Sequence, residues 1–307
     1  MRLIFFGSPD FALRPLNALL RPGNEIIAVV TQPDRPKGRG RLMQACPVKL
    51  ESRRFGIKIL QPLRVREKSF IMELEALKPE AIVVVAYGQI LPSEIIHLPE
   101  HGGINLHASL LPKYRGAAPI NWAIINGETV TGVTTMLMDE GIDTGPILLQ
   151  KEVELERTDT ARTLSEKLSK VGAELLVETL DGLENKSIKP VPQTGDTSYA
   201  PMLKKDDGRI SWSRGAYKLY NLVRGLYPWP GAFSFLEGKR LRILWAEPLS
   251  GSGPAGVIVK ATKCELIVGT GKGVLAIKEI QPEGKKQMPV ADFLHGHNIR
   301  EGMIFEK

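Results

Sequence analysis

Asn105 and His107 stand two residues apart, and Asp143 follows in a glycine-flanked loop, Gly141-Ile-Asp-Thr-Gly145. In an extended segment, residues i and i+2 point to the same face, so the amide and the imidazole project side by side. An asparagine N–H can donate to an oxygen that gains negative charge, an interaction that lowers a barrier by roughly 2.7–4 kcal/mol. A histidine beside it moves protons near neutral pH. Asp143, folded back against His107, would favour the imidazolium by charge pairing and could take a proton from an attacking amine through water. The trio is thus equipped for acyl transfer, provided the substrate brings its own nucleophile. Taken singly, each residue also fits a plainer role: Asn105 and His107 as strand-end polar groups, Asp143 as a turn former ahead of Thr144-Gly145.

The longer stretch Asn105-Leu-His-Ala-Ser-Leu-Leu-Pro-Lys-Tyr-Arg-Gly116, with Asp143 in its Asp-Thr-Gly loop, resembles the signature of the folate-dependent formyltransferases. The resemblance implies that Asn105, His107 and Asp143 are the catalytic centre and that 10-formyltetrahydrofolate is the formyl donor, with no metal. It also implies that Ser109, Leu110, Leu111 and Pro112 contact folate. Val84-Val-Ala-Tyr-Gly-Gln-Ile-Leu-Pro92 resembles the loop that receives the pterin ring, which adds Ala86, Tyr87, Gly88 and Leu91 to the folate contacts.

The elements that must position these groups follow from hydrophobic patterning. Leu3 to Phe6, Glu25 to Val30, Ile57 to Leu60, Ala81 to Ala86 and Gly103 to His107 are short apolar or β-branched runs. Helically spaced stretches, Phe11 to Leu20 and Phe70 to Leu77, separate them, an alternation that predicts βαβ units and a mainly parallel, open, doubly wound α/β sheet. This is the Rossmann-like variant that the resemblance implies. Catalytic groups ending the Gly103 to His107 strand would sit where such sheets bind ligands, outside the carboxyl ends of their strands. Gly7-Ser-Pro-Asp10 in the first turn lacks the Gly-x-Gly-x-x-Gly spacing, which argues against dinucleotide binding. Thr160 to Leu183 reads as a long helix, with Leu164, Leu168, Val171, Leu175 and Leu180 at helical intervals.

A chain of 307 residues suits about two domains. The expected division is a catalytic domain over 1–189, a linker over 190–206 rich in proline, threonine and charge, and a second domain over 207–307. In the last part, a helix-like stretch from Tyr217 to Leu226 precedes strand-like runs at Ala232 to Leu236, Arg240 to Ala246, Gly256 to Lys260, Cys264 to Val268 and Val274 to Glu279. Turns between them predict a small antiparallel barrel of the oligonucleotide-binding (OB) type.

Charge is segregated along the chain. Residues 31–66 carry +8, residues 67–203 carry −9 and residues 204–307 carry +7. An acidic stretch between two basic ones points to a large polyanionic partner. The first basic block, Thr31-Gln-Pro-Asp-Arg-Pro-Lys-Gly-Arg-Gly-Arg41, has no helical or alternating period and predicts a mobile loop. It is similar to the loop with which tRNA-formylating members of the family reach the acceptor end of initiator tRNA. The similarity matches Arg39 to an important arginine and makes Arg35, Lys37 and Arg41 further RNA contacts. Those members also carry a C-terminal domain of the barrel kind.

The expected reaction is therefore transfer of formyl to the α-amine of methionyl initiator tRNA, for translation initiation. Two alternatives stay open: a formyltransferase for a small amine such as glycinamide ribonucleotide or an amino sugar nucleotide, and an RNA-binding protein on a degenerate enzyme scaffold. No apolar run approaches the ~20 residues that span a bilayer, and Met1 to Gly7 reads as a first strand rather than a signal peptide. Cys46 and Cys264 lie far apart without metal-like or redox spacing, which fits a reduced cytoplasmic compartment. Nothing in the chain demands more than a monomer.

Overall fold

The structure, a computed structural model, describes residues 1–37 and 42–306. Its first half alternates short strands and helices: β1 (Arg2–Gly7), α1 (Leu13–Leu19), β2 (Glu25–Val30), β3 (Arg35–Lys37), β4 (Leu42–Gln44), α2 (Pro47–Arg54), β5 (Ile59–Leu60), α3 (Lys68–Leu77), β6 (Ala81–Val85), α4 (Ser93–Ile96) and β7 (Gly103–His107). Then come α5 (Pro119–Asn126), β8 (Val130–Leu137), β9 (Ile147–Glu154), α6 (Ala161–Glu184) and α7 (Ala216–Gly225). The remainder comprises β10 (Ala232–Leu236), β11 (Lys239–Leu249), β12 (Ile258–Ala261), β13 (Leu266–Gly269), β14 (Val274–Pro282), β15 (Met288–Pro289), α8 (Val290–Gly296) and β16 (Phe305–Glu306).

The chain forms two compact units. One takes in residues 1–116, 130–154 and 165–199; the other takes in 117–129, 155–164 and 200–307. The first is built on a seven-stranded sheet of order β5-β2-β1-β6-β7-β8-β9. The strands from β5 to β7 are parallel, and β8 and β9 close the far side antiparallel. β1 and β6 are apolar and buried almost throughout, as strands covered on both faces must be. Ile4, Phe6, Val30, Ile82 and Val84 form one core with Phe70 and Leu74 of α3 and with Ile95 and Ile96 of α4. The opposite face is reached by α6, where Gly172 lies so close to Leu106 that a Cβ would come within 2.8 Å of its Cδ2.

The basic segment is not uniformly a loop. Arg35–Lys37 pairs antiparallel with Leu42–Gln44, opposing Pro36 to Met43. A root of side chains holds this two-stranded ladder: Lys49 Nζ donates to Asp34 Oδ2 at 2.7 Å and to Gln61 Oε1 at 2.5 Å, while Gln61 Nε2 donates to the Gln32 carbonyl at 2.9 Å.

In the second unit the sheet follows the order β12-β13-β14-β11-β10-β16, with β15 added to β14. Val257, just before β12, bridges Ile304, just before β16, so the sheet closes on itself as the expected antiparallel barrel. Leu241, Ile243, Val268, Leu275, Ile277, Ile280 and Phe305 fill it, together with Leu219, Leu222 and Val223 of α7. No helix among the described residues is long and apolar enough to cross a membrane.

Candidate active site

β7 lies between β6 and β8, with Asn105 paired to Val84 and Met136 and His107 to Thr134. Because successive side chains alternate, Leu106 turns to Gly172 of α6, and Asn105 and His107 share the other face. Asp143 folds back onto that face. Its Oδ1 accepts from Asn105 Nδ2 at 3.2 Å, and its Oδ2 accepts from the Gly116 N–H at 2.8 Å and lies 3.5 Å from His107 Nδ1. The structure thus brings together the three residues that the sequence singled out.

His107 is 6% exposed and sits between two acceptors. Nε2 is 3.0 Å from the Tyr114 carbonyl oxygen, and Nδ1 faces the Asp143 carboxylate. Each ring nitrogen thus faces an oxygen acceptor of the protein. Tyr114 and Asp143 adopt left-handed backbone, with φ of 61° and 54°. For a residue as bulky as tyrosine this conformation is strained and persists only where the surroundings impose it.

The segment after β7 turns on internal hydrogen bonds. Ser109 Oγ donates to the Lys113 carbonyl at 2.6 Å, Thr134 Oγ1 donates to the Ser109 carbonyl at 2.6 Å, and the Leu111 N–H donates to Thr134 Oγ1 at 3.2 Å. Leu110 lies over Gly132 of β8, where a Cβ would meet Leu110 Cδ2 at 2.5 Å and the Lys151 carbonyl at 2.3 Å. Leu111 is buried, and Pro112 is partly exposed beside it. On the neighbouring strand, Ala86 turns the chain out of β6 in left-handed conformation (φ 50°), followed by Gly88 (φ 88°). Tyr87 and Leu91 are buried there, with Tyr87 edge-on to Phe6 at 5.1 Å between centroids. The Tyr87 hydroxyl is enclosed without a hydrogen-bond partner among the described residues, and burial pushes its phenol well above the usual range. A buried donor of this kind is costly unless something answers it.

Of the basic residues, Arg35 is exposed on β3, its Nη2 donating to Gln32 Oε1 at 3.2 Å, and Lys37 ends that strand. Arg39 and Arg41 lie outside the described residues.

Sequence reasoning missed the groups that hold the trio from outside. Gln193 belongs to the stretch expected to be a linker, yet its Nε2 donates to the Asp143 carbonyl at 2.9 Å and to the Gly145 carbonyl at 2.8 Å. Its Oε1 accepts from Arg115 Nε at 3.1 Å and Nη2 at 2.6 Å. Ser198 Oγ accepts from the Tyr114 N–H at 2.9 Å. A polar side chain among prolines and threonines has no periodicity to mark it, so only the fold reveals these contacts.

Residues 1–180 match the family described as formyl transferase, and residues 202–298 match the formyl transferase C-terminal domain. The chain is 57% identical to the methionyl-tRNA formyltransferase of Thermodesulfovibrio yellowstonii, over 98% of its own length and 97% of that relative's. Among solved structures, its fold is similar to that of HypX from Aquifex aeolicus in complex with tetrahydrofolic acid. There the TM-score is 0.64 at 19% identity, covering 96% of this chain and 47% of the other. It is similar in fold also to the methionyl-tRNA formyltransferase from Clostridium thermocellum, with a TM-score of 0.57 at 19% identity over 80% of this chain and 93% of that one.

Proposed function

The chain belongs to the formyl transferase family, with methionyl-tRNA formyltransferases as near-full-length relatives, and from that premise we propose that it formylates the α-amine of methionyl initiator tRNA. The observation that carries this reading is the convergence of Asn105, His107 and Asp143 on one face at the end of β7, with no serine or cysteine nucleophile among them. The donor, 10-formyltetrahydrofolate, supplies a formyl carbon on a nitrogen that leaves once protonated. The enclosed Tyr87 hydroxyl, in the loop that resembles the pterin-receiving one, fits a ligand rich in acceptors.

The methionyl amine attacks the formyl carbon as the free base, a form available near neutrality because α-amines titrate at about 7.7–8.0. One N–H of the Asn105 amide goes to Asp143; the second is the donor for the formyl oxygen as it gains charge. Both ring nitrogens of His107 face acceptors, the Tyr114 carbonyl and Asp143, so a protonated ring would support the charge on that oxygen through its field rather than by a further hydrogen bond. Asp143 orients that ring and helps to remove the amine proton. The departing nitrogen receives a proton from the site, so the new C–N bond replaces the broken one without a net change in charge.

The basic segment 31–41, with Arg35, Lys37, Arg39 and Arg41, is the surface for the acceptor end of the tRNA, and the barrel that carries +7 over residues 204–307 is its second contact. Two unpaired thiols, Cys46 and Cys264, suit a reducing cytoplasm.

The test offers 10-formyltetrahydrofolate with methionyl initiator tRNA and looks for formylmethionyl-tRNA. Formylation of glycinamide ribonucleotide or an amino sugar nucleotide in its place would overturn the assignment of substrate.

A further inference from the structure

Residues 190–199 carry little apolar burial. Thr194 to Thr197 are exposed and Tyr199 is 70% exposed, so hydrophobic packing does not explain why the segment lies where it does. Its attachments are polar: Val191 exchanges two backbone hydrogen bonds with Ile147 at the start of β9, and those that follow converge on the two sides of His107. On one side, Gln193 spends both N–H groups of its carboxamide on the Asp143 and Gly145 carbonyls. Its oxygen is fixed by two N–H groups of Arg115, so the carboxamide plane cannot turn without breaking four hydrogen bonds. On the other side, Ser198 Oγ accepts from the Tyr114 N–H, and the Ser198 carbonyl accepts from the Arg115 N–H at 2.9 Å. The Ser198 N–H donates to the Pro112 carbonyl at 3.4 Å. Tyr114 and Asp143, the two acceptors of His107, both have left-handed backbone, and each is tied to this one segment.

We infer that Gln193 and Ser198 are positioning residues for formyl transfer, a clamp that sets from a single segment the spacing of the two acceptors between which His107 is held. The inference rests on the formyl-transfer reading. Neither residue touches the reacting atoms. Without Gln193 the Asp143 carbonyl and the loop to Gly145 lose their outer partner, and a carboxylate held in left-handed backbone is free to swing from His107 and Asn105. Without Ser198 the Tyr114 N–H loses its acceptor and its carbonyl drifts from Nε2.

The experiment uses the full chain carrying Gln193→Met, which keeps the volume and removes the hydrogen bonds to the Asp143 and Gly145 carbonyls and from Arg115, and Ser198→Ala. For Gln193→Met, kcat of formylation falls by about 10–100-fold, as outer partners of site residues do. KM for 10-formyltetrahydrofolate and for methionyl initiator tRNA stays near that of the unaltered protein, and so does the thermal midpoint. In the nitrogen spectrum of histidine-labelled protein, the His107 ring signals shift. Ser198→Ala gives the same pattern with a smaller fall. A fall in kcat matched by a lowered thermal midpoint and raised KM for both substrates overturns the clamp, as does unchanged turnover with an unshifted His107 spectrum. If the unaltered protein formylates nothing, the formyl-transfer reading fails by itself, and the His107 spectrum still decides the clamp.

Discussion

Two segments of the first unit leave the carboxyl ends of parallel strands in the same sheet, and they are built in opposite ways. After β7, the chain is held at almost every step: by Thr134 beneath Ser109 and Leu111, by Asp143 against Gly116, and by Ser198 and Gln193 from outside. After β2, the side-chain hydrogen bonds among the described residues gather at the root, where Lys49, Gln61 and Asp34 meet, and beyond it the β3–β4 ladder leaves Leu42 and Met43 71% and 63% exposed. Chemistry at one carbon requires donors placed to within fractions of an ångström. Attraction of phosphates requires charge within reach, and geometry matters much less. The two constructions match those two demands.

The sharpest way to break this comparison is at the fixed segment. His107→Ala and Asp143→Ala should each lower turnover by at least ~10²–10⁴, the contribution of a positioned acid or base, with the circular dichroism and thermal midpoint retained. Near-normal turnover in either would show that the geometry is not the chemistry. Asn105→Ala should cost about 10²–10³ in kcat, the effect of losing one donor to a charged oxygen, with little change in KM for the tRNA.

At the basic segment after β2 the effect should be smaller and of another kind. Arg39→Ala and Arg35→Ala should raise KM for tRNA while the folate KM stays constant. Each should also reduce the slope of log affinity against log salt by about 1, measured by titration with sodium chloride. A loss of folate binding instead would remove the RNA role from this segment.

The smallest change is expected at its root. Asp34 is held below the usual carboxylate range, first by the hydrogen bond from Lys49 and then by that from Gln61. Its native carboxylate therefore adds stability above the ordinary aspartate value of about 3.9 and loses it as pH falls through the lower native value. Lys49→Met should flatten this acid-side dependence of the thermal midpoint and leave turnover on saturating tRNA nearly intact.

What could be read from sequence follows the same division. β1 and β6 announce themselves because strands buried on both faces must be apolar in unbroken runs, and β2 and β7 do so through shorter apolar or β-branched stretches. β8 and β9 did not, because Val130–Leu137 buries Thr131, Thr134 and Thr135 and Ile147–Glu154 ends in exposed charge. α5 is a short run starting at Pro119 with no polar face to define a period, and it escaped likewise. The strand expected at Ile57 to Leu60 shrinks to Ile59–Leu60, and Phe11 to Leu20 divides into a 3-10 turn, Asp10–Ala12, and α1. The β3–β4 ladder was invisible because Pro36 and Lys37 carry no alternation that foretells pairing. At the site, residue types and spacing identified the three groups of the trio. The backbone carbonyl of Tyr114, the N–H of Gly116 and the carboxamide of Gln193 were hidden because any sequence offers the first two and a lone glutamine signals nothing.

The bridge from Val257 to Ile304 also governs the order in which the chain can mature during synthesis. The barrel's seam is sewn by Phe305, 1% exposed and packed against Trp212 at 5.1 Å between ring centroids. Until that residue leaves the ribosome, β10 and β12 present open edges, the hazard that antiparallel sheets manage by closure. The first unit's parallel core is complete some hundred residues earlier, so a nascent chain would hold a finished sheet while its last strand was still being made. Removal of residues 303–306 should therefore aggregate the protein during expression, through exposed strand edges, with the formyl-transfer residues untouched.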